Sequence, residues 1–223
     1  MTISKRAVLC AALLLCASMG SATPDEAAER QLIVSAINGN IDGVRAALKN
    51  GASINVRDNR GRTALLIATH ASNVEMARVL IAAGADVNAK DHIEDSPYLY
   101  AGAEGRNEIL RMTLEAGADL RSTNRYGGTA LIPAAHHGHP ETVAILLRTR
   151  IDKDHVNKLG WTALLEAVIL GDGGPTYARI VQMLVKAGAN PNIADRSGVT
   201  PLAHARGRNL TEIAKILEAA GAR

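Results

Sequence analysis

Residues 127–150 read GGTALIPAAHHGHPETVAILLRTR. The stretch holds Thr129-Ala130-Leu131, an apolar run, Gly138-His139, and a second apolar run from Val143 to Leu147. The opening phrase recurs at a step of 33 residues, as Thr63-Ala64-Leu65, Ser96-Pro97-Tyr98 and Thr162-Ala163-Leu164, then after a five-residue insertion as Thr200-Pro201-Leu202. A second marker keeps the same step: Gly51-Ala52-Ser53, Gly84-Ala85-Asp86, Gly117-Ala118-Asp119, Gly188-Ala189-Asn190 and Gly221-Ala222. Two markers in phase define an array. Each unit of this length is too small to bury its own apolar face and must stack on its neighbours, so an elongated solenoid is predicted.

The unit 58–90 is the most regular. Thr63 can cap a first helix by accepting a backbone N–H bond, and Leu65 and Ala68 face the core. Val74, Met76, Ala77, Val79, Leu80 and Ile81 build a second helix, which Gly84 ends in the left-handed conformation that disfavours a side chain. The units run over about residues 25–57, 58–90, 91–123, 124–156, 157–194 and 195–223. The first lacks the turn phrase and opens on Asp25, Glu26, Glu29 and Arg30, while the last has a short polar helix with Arg206 and Arg208. Polar outer helices suit the two ends of a stack, which have no neighbour to cover them.

Thr-Ala/Pro-Leu, an Ala-rich helical turn, Gly-His, an apolar helix and Gly-Ala-Asp-Val-Asn together resemble the ankyrin repeat, over about residues 25–223. The resemblance implies an all-α ankyrin-repeat solenoid of stacked helix-turn-helix units with β-hairpin-like loops, about six in number. Against that pattern, Glu94 stands where glycine is usual, and Tyr98 and Tyr100 depart from it too. Arg150 occupies a glycine slot, so that turn is either rebuilt or strained by about 1 kcal/mol. Gly171 to Tyr177 reads as a lengthened interhelical loop.

Upstream of the array, Lys5 and Arg6 precede an apolar run from Ala7 to Met19 and the small residues Gly20-Ser21-Ala22. This is the pattern of a secretory signal peptide over residues 1–22, too short in its apolar run to span a bilayer comfortably. Cys16 raises a lipoprotein variant, against which Leu15 stands where a small residue is wanted. Cleavage removes Lys5 and Arg6 and no acidic residue, so the formal charge falls from +3 to +1. That balance suggests neither nucleic acid nor an anionic membrane as partner. Cys10 and Cys16 leave with the leader, which suits an oxidising compartment. A periplasmic or secreted protein is expected.

Three places invite a catalytic reading. His136, His137 and His139 lie together, yet His139 matches the family's ordinary Gly-His turn, and no carboxylate or cysteine stands at ligand spacing beside the pair. The Gly-rich segment 171–176 lacks the lysine and preceding strand of a nucleotide-binding loop. Glu166 falls at a position the family pattern leaves variable and often solvent-facing. Nothing assembles a nucleophile, base and orienter, so no catalytic residue, metal site or cofactor is expected.

What remains is binding. In ankyrin repeats partners are gripped by the hairpin tips and the exposed ends of the first helices. Carried onto this chain, those positions include Arg60 and Arg62; His92 and Ile93; Arg125, Tyr126, His136 and His137; and Leu159, Trp161, Glu166, Ile169 and Leu170. Repeats four and five concentrate aromatic and apolar residues there, the usual make-up of an interface hot spot, and a tip tryptophan acting as anchor is worth about 2 kcal/mol or more. The resemblance thus implies a non-enzymatic module that binds another protein through repeats three to five. Supporting or inhibiting a co-exported enzyme, as in oxidative-stress defence, is one such role. A metal-binding or hydrolytic use of His136 and His137, or a secreted effector aimed at a host protein, is the alternative.

Overall fold

The computed structural model describes residues 24–223; the signal-peptide segment lies outside the described residues. Twelve helices follow in chain order: α1 Pro24–Ile37, α2 Ile41–Lys49, α3 Ala64–His70, α4 Val74–Ala82, α5 Pro97–Ala103, α6 Asn107–Glu115, α7 Leu131–His136, α8 Pro140–Leu147, α9 Ala163–Ile169, α10 Pro175–Lys186, α11 Pro201–Gly207 and α12 Thr211–Ala219. They form consecutive antiparallel pairs. Odd-numbered helices pack on one another as an inner layer and even-numbered ones as an outer layer. Among the described residues no strand forms; an isolated bridge pairs Arg57 with Thr63. Nor is any helix there long and apolar enough to cross a membrane.

Local chemistry sets these boundaries. Thr63, Ser96, Thr162 and Thr200 have extended backbones, and each hydroxyl accepts the N–H of the residue three further on. Thr129 departs from this rule. Pro133 has no N–H to give to the Thr129 carbonyl, and the Ile132 N–H takes that carbonyl instead at 3.1 Å. The Thr129 hydroxyl is therefore left buried without a partner, and α7 is the shortest helix described.

At the other end of the units, Gly84 sits at φ +87°, and the N–H groups of Gly84 and Ala85 close back onto Ile81 and Leu80. Arg150 is not in the left-handed region, so its turn is rebuilt. Helix α8 ends at Leu147, and the Thr149 hydroxyl takes over by donating to the Leu146 carbonyl at 2.6 Å and accepting the Ile151 N–H at 3.2 Å. Glu94 does carry the strain its position implied, at φ +66°.

The core between the layers is Ala, Leu, Ile and Val, with Met76 and Tyr98 completely buried. The insertion departs from expectation. Only residues 170–174 form the connection, and Pro175, Thr176 and Tyr177 are helical, lengthening the start of α10. Proline at the first helical position and the Asp172 carboxylate, which accepts the Gly174 N–H at 2.7 Å, set up that extra turn.

Candidate protein-binding groove

Each hairpin tip is closed by one side chain. Asp58, Asp91, Asn124, Asn157 and Asp195 use one oxygen to accept the backbone N–H groups two and four residues later. The middle residue is thereby pushed outward. At that register stand Arg60, Ile93, Tyr126, Leu159 and Ser197, and Ile93, Tyr126 and Leu159 are 52%, 52% and 48% exposed. Successive tips are tied together: the Lys158 N–H donates to the Tyr126 carbonyl at 2.9 Å and the Lys158 ammonium to the Arg125 carbonyl at 2.9 Å. A row of apolar knobs therefore stands on a braced edge.

Beside this row lies a groove of about 530 Å³ across repeats three to five. Its floor comes from the fourth position after each helix cap, where Tyr100, Pro133 and Glu166 follow one another. Its far side is made by the ends of the inner helices, with Glu104, His136, His137 and Leu170. Of the positions expected to bind, Ile93, Arg125, Tyr126, His136, His137, Leu159, Glu166 and Leu170 meet in this one concavity. Arg60, Arg62, His92, Trp161 and Ile169 do not line it. Arg62 is held by Asp58 at 2.7 Å, and Trp161 and Ile169 are half-buried.

Glu166 differs most from expectation. It is 5% exposed instead of solvent-facing, on the inner helix α9 that packs between α7 and α11. Burial pushes its carboxyl up to about 7, against a smaller opposite effect of the hydrogen bond from Asn157. Asn157 donates that bond from Nδ2 to Oε1 at 2.8 Å, and His136 Nδ1 lies 3.4 Å from Oε2. The histidine pair thus does have carboxylates beside it, since Glu104 lies 3.8 Å from His137. Both come from adjacent repeats, 33 or 30 residues away, where local spacing does not reveal them.

Burial, and then the nearby His137, hold His136 below the usual imidazole range; burial does the same to His70. His137 Nδ1 meets the Ala103 carbonyl at 2.8 Å, while the His139 ring lies against Gly105. Among the described residues no group of three or more His, Cys, Asp or Glu is placed to hold a metal ion. Asn157, Tyr100 and Pro133 were missed from sequence. For Tyr100 and Pro133 the signal is the register counted from each capping residue, in which Ile67, Tyr100, Pro133, Glu166 and His204 are equivalent, and for Asn157 it is the tip register shared with Asp58, Asp91, Asn124 and Asp195.

A two-layer helical stack with a braced row of tips over a lateral groove defines a repeat-protein interaction module. Residues 4–91 and 98–195 match the family described as ankyrin repeats (3 copies), and the chain belongs to that family. Ankyrin repeats are protein–protein interaction modules. The chain is similar to an ankyrin repeat domain from Acinetobacter baumannii AYE of solved structure, at 59% identity and a TM-score of 0.84, over 86% of this chain and 98% of that one. The crystal structure of the ankyrin repeat domain of Bcl-3, a member of the IkappaB protein family, matches at 29% identity and a TM-score of 0.77, over 86% of each chain. YahD, an ankyrin repeat protein of Escherichia coli (strain K12), is 51% identical over 57 residues, which is 26% of this chain and 28% of YahD.

Proposed function

We propose that this chain is a non-enzymatic, exported interaction module that holds a partner protein in the groove of repeats three to five. The observation that carries the reading is the row Ile93, Tyr126 and Leu159, three large apolar side chains about half exposed at one register of successive tips. Isolated exposed apolar residues are ordinary on a protein surface, but an aligned row beside a groove has the make-up of an interface core. Lys5, Arg6, the apolar run from Ala7 to Met19 and the small residues up to Ala22 support export to the periplasm, with a co-exported protein as partner.

The test is retention of a periplasmic protein by immobilised chain 23–223, run beside an Ile93→Asp, Tyr126→Ala, Leu159→Asp variant of equal helicity. The partner is expected to be retained by the wild type and released by the variant, each lost anchor weakening binding by about 2 kcal/mol. Equal retention by both overturns the reading. Export is checked separately by fractionation and by the amino-terminal residue of the mature protein, expected at Thr23.

A further inference from the structure

We infer that the groove of repeats three to five is built for a partner segment carrying one basic side chain flanked by apolar residues, with the basic group seated against Glu166. The inference rests on the protein-binding reading above and adds the chemistry of what is bound.

The argument starts from charge. Three carboxylates line the groove, Asp95, Glu104 and Glu166, and Arg125 is the one lysine or arginine among the lining residues. Arg125 is already engaged, 3.9 Å from Asp95 and stacked 4.8 Å above the Tyr126 ring. His136 and His70 are held neutral at pH 7 by their burial. Arg62, the nearest cation from repeat two, is bound to Asp58. Asp95 and Glu104 outnumber Arg125, so the groove is negative even with Glu166 about half protonated near pH 7, and its apolar walls lower the local dielectric and strengthen attraction for an incoming cation.

Geometry then selects the position. Glu166 is buried at the floor, and its partners leave it short of positive charge: an amide at Oε1 and a neutral imidazole 3.4 Å from Oε2. Burial raises the carboxyl because no cation compensates it, and the same burial raises Asp95, helped by Asp91. A guanidinium or ammonium docked at Oε2 reverses that condition by supplying a charge-assisted hydrogen bond. Leu159 and Tyr126 on one side and Leu170 on the other are placed to cover the aliphatic stem of such a residue and its neighbours. Further along, the His70 ring stacks 4.0 Å from Tyr100 and continues the wall of the groove.

The test is selection of a phage-displayed library of random peptides on the described chain at neutral pH, followed by affinities for the selected sequences. Peptides with one lysine or arginine between apolar residues are expected. Their affinity should fall about tenfold or more with Glu166→Gln, and equally when the peptide's basic residue is replaced by methionine on the wild-type protein, a comparison that leaves the fold untouched. Tyr126→Ala should weaken the same peptides. Selected peptides that depend on Tyr126 but show no basic preference, or bind Glu166→Gln as well as wild type, overturn the inference and leave the protein-binding reading standing. Peptides indifferent to Tyr126, or none at all, overturn both.

Discussion

Asn157 and Glu166 are joined by a 2.8 Å hydrogen bond from the amide to a buried carboxylate, and Asn157 holds the tip of repeat five with its other atom. The same side chain thus shapes the tip that lifts Leu159 and positions the groove floor. The equivalent pair in the last unit is Asp195 and His204, 2.8 Å apart, a carboxylate and an imidazole with the polarity reversed. Asparagine at 157 suits a carboxylate opposite, because an aspartate there would set two anions against each other.

Glu166 makes stability fall as pH rises. Its carboxyl titrates near 4.5 in an unfolded chain and about 7 in the fold, so between those values the folded protein keeps a proton that the unfolded chain has released. The stabilisation is fully present below about pH 4.5 and lost as pH rises through about 7, amounting to about 3 kcal/mol. His136, facing it from α7, has the opposite sign: its lowered pKa removes stability as pH falls below its ordinary value of 6.5, in variant and wild type alike. Urea unfolding of wild type and Glu166→Gln should therefore show a gap favouring the variant that widens between about pH 5 and about pH 8. A gap constant with pH would mean that the carboxyl titrates normally. A carboxylate kept at this cost, when glutamine is more stable, fits a group retained for binding.

Glu94 is exposed and held at φ +66°, a conformation that an L side chain resists by about 1 kcal/mol. Glu94→Gly should raise stability by up to about 1 kcal/mol, less the extra freedom of glycine in the unfolded chain, and Tm by about 2–3 °C. Differential scanning calorimetry decides it, and a lower Tm would show that the Glu94 side chain contributes more than its backbone costs.

Tyr98 replaces the leucine of the other units, as Leu65, Leu131 and Leu164 show, and is completely buried. Its hydroxyl has no partner within the protein, and burial drives its pKa upward. Removing an unpaired buried hydroxyl while keeping the ring relieves a desolvation penalty, so Tyr98→Phe should stabilise by about 1 kcal/mol in chemical denaturation. Destabilisation would reveal a bridging water at that oxygen.

The paired helices were legible because their signals are local: a capping hydroxyl, an apolar face, a terminal glycine, all within one unit. So was the tip row, since Ile93, Tyr126 and Leu159 share a register. The burial of Glu166 was not legible, because it depends on residues one repeat away and on the packing of α7 against α9 that brings His136 to it. The uncapped Thr129 is intermediate: Pro133 announces the missing N–H, but only the structure shows that Ile132 then abandons the threonine hydroxyl. The helical conversion of Pro175 to Tyr177 was written in Pro175 itself and was overshadowed by the glycines before it.

Tyr177 gives that insertion a task. Its hydroxyl donates to the His136 carbonyl at 2.8 Å, reaching from α10 to the end of the preceding repeat's inner helix. His136 is the residue beside Glu166, so the added turn braces the groove from behind. Tyr177→Phe should cost about 1 kcal/mol of stability and loosen the end of α7, seen as faster amide exchange there. Gly171→Ala should act in the same direction and more strongly, because a Cβ at 171 falls 2.3 Å from the Tyr177 ring and 2.4 Å from the Ala167 carbonyl oxygen, so it displaces the ring and disturbs the end of α9 as well. If both variants exchange at α7 like the wild type, the added turn is decoration. If exchange in Tyr177→Phe rises at α7 alone while the other inner helices stay protected, the insertion is a strut for the groove.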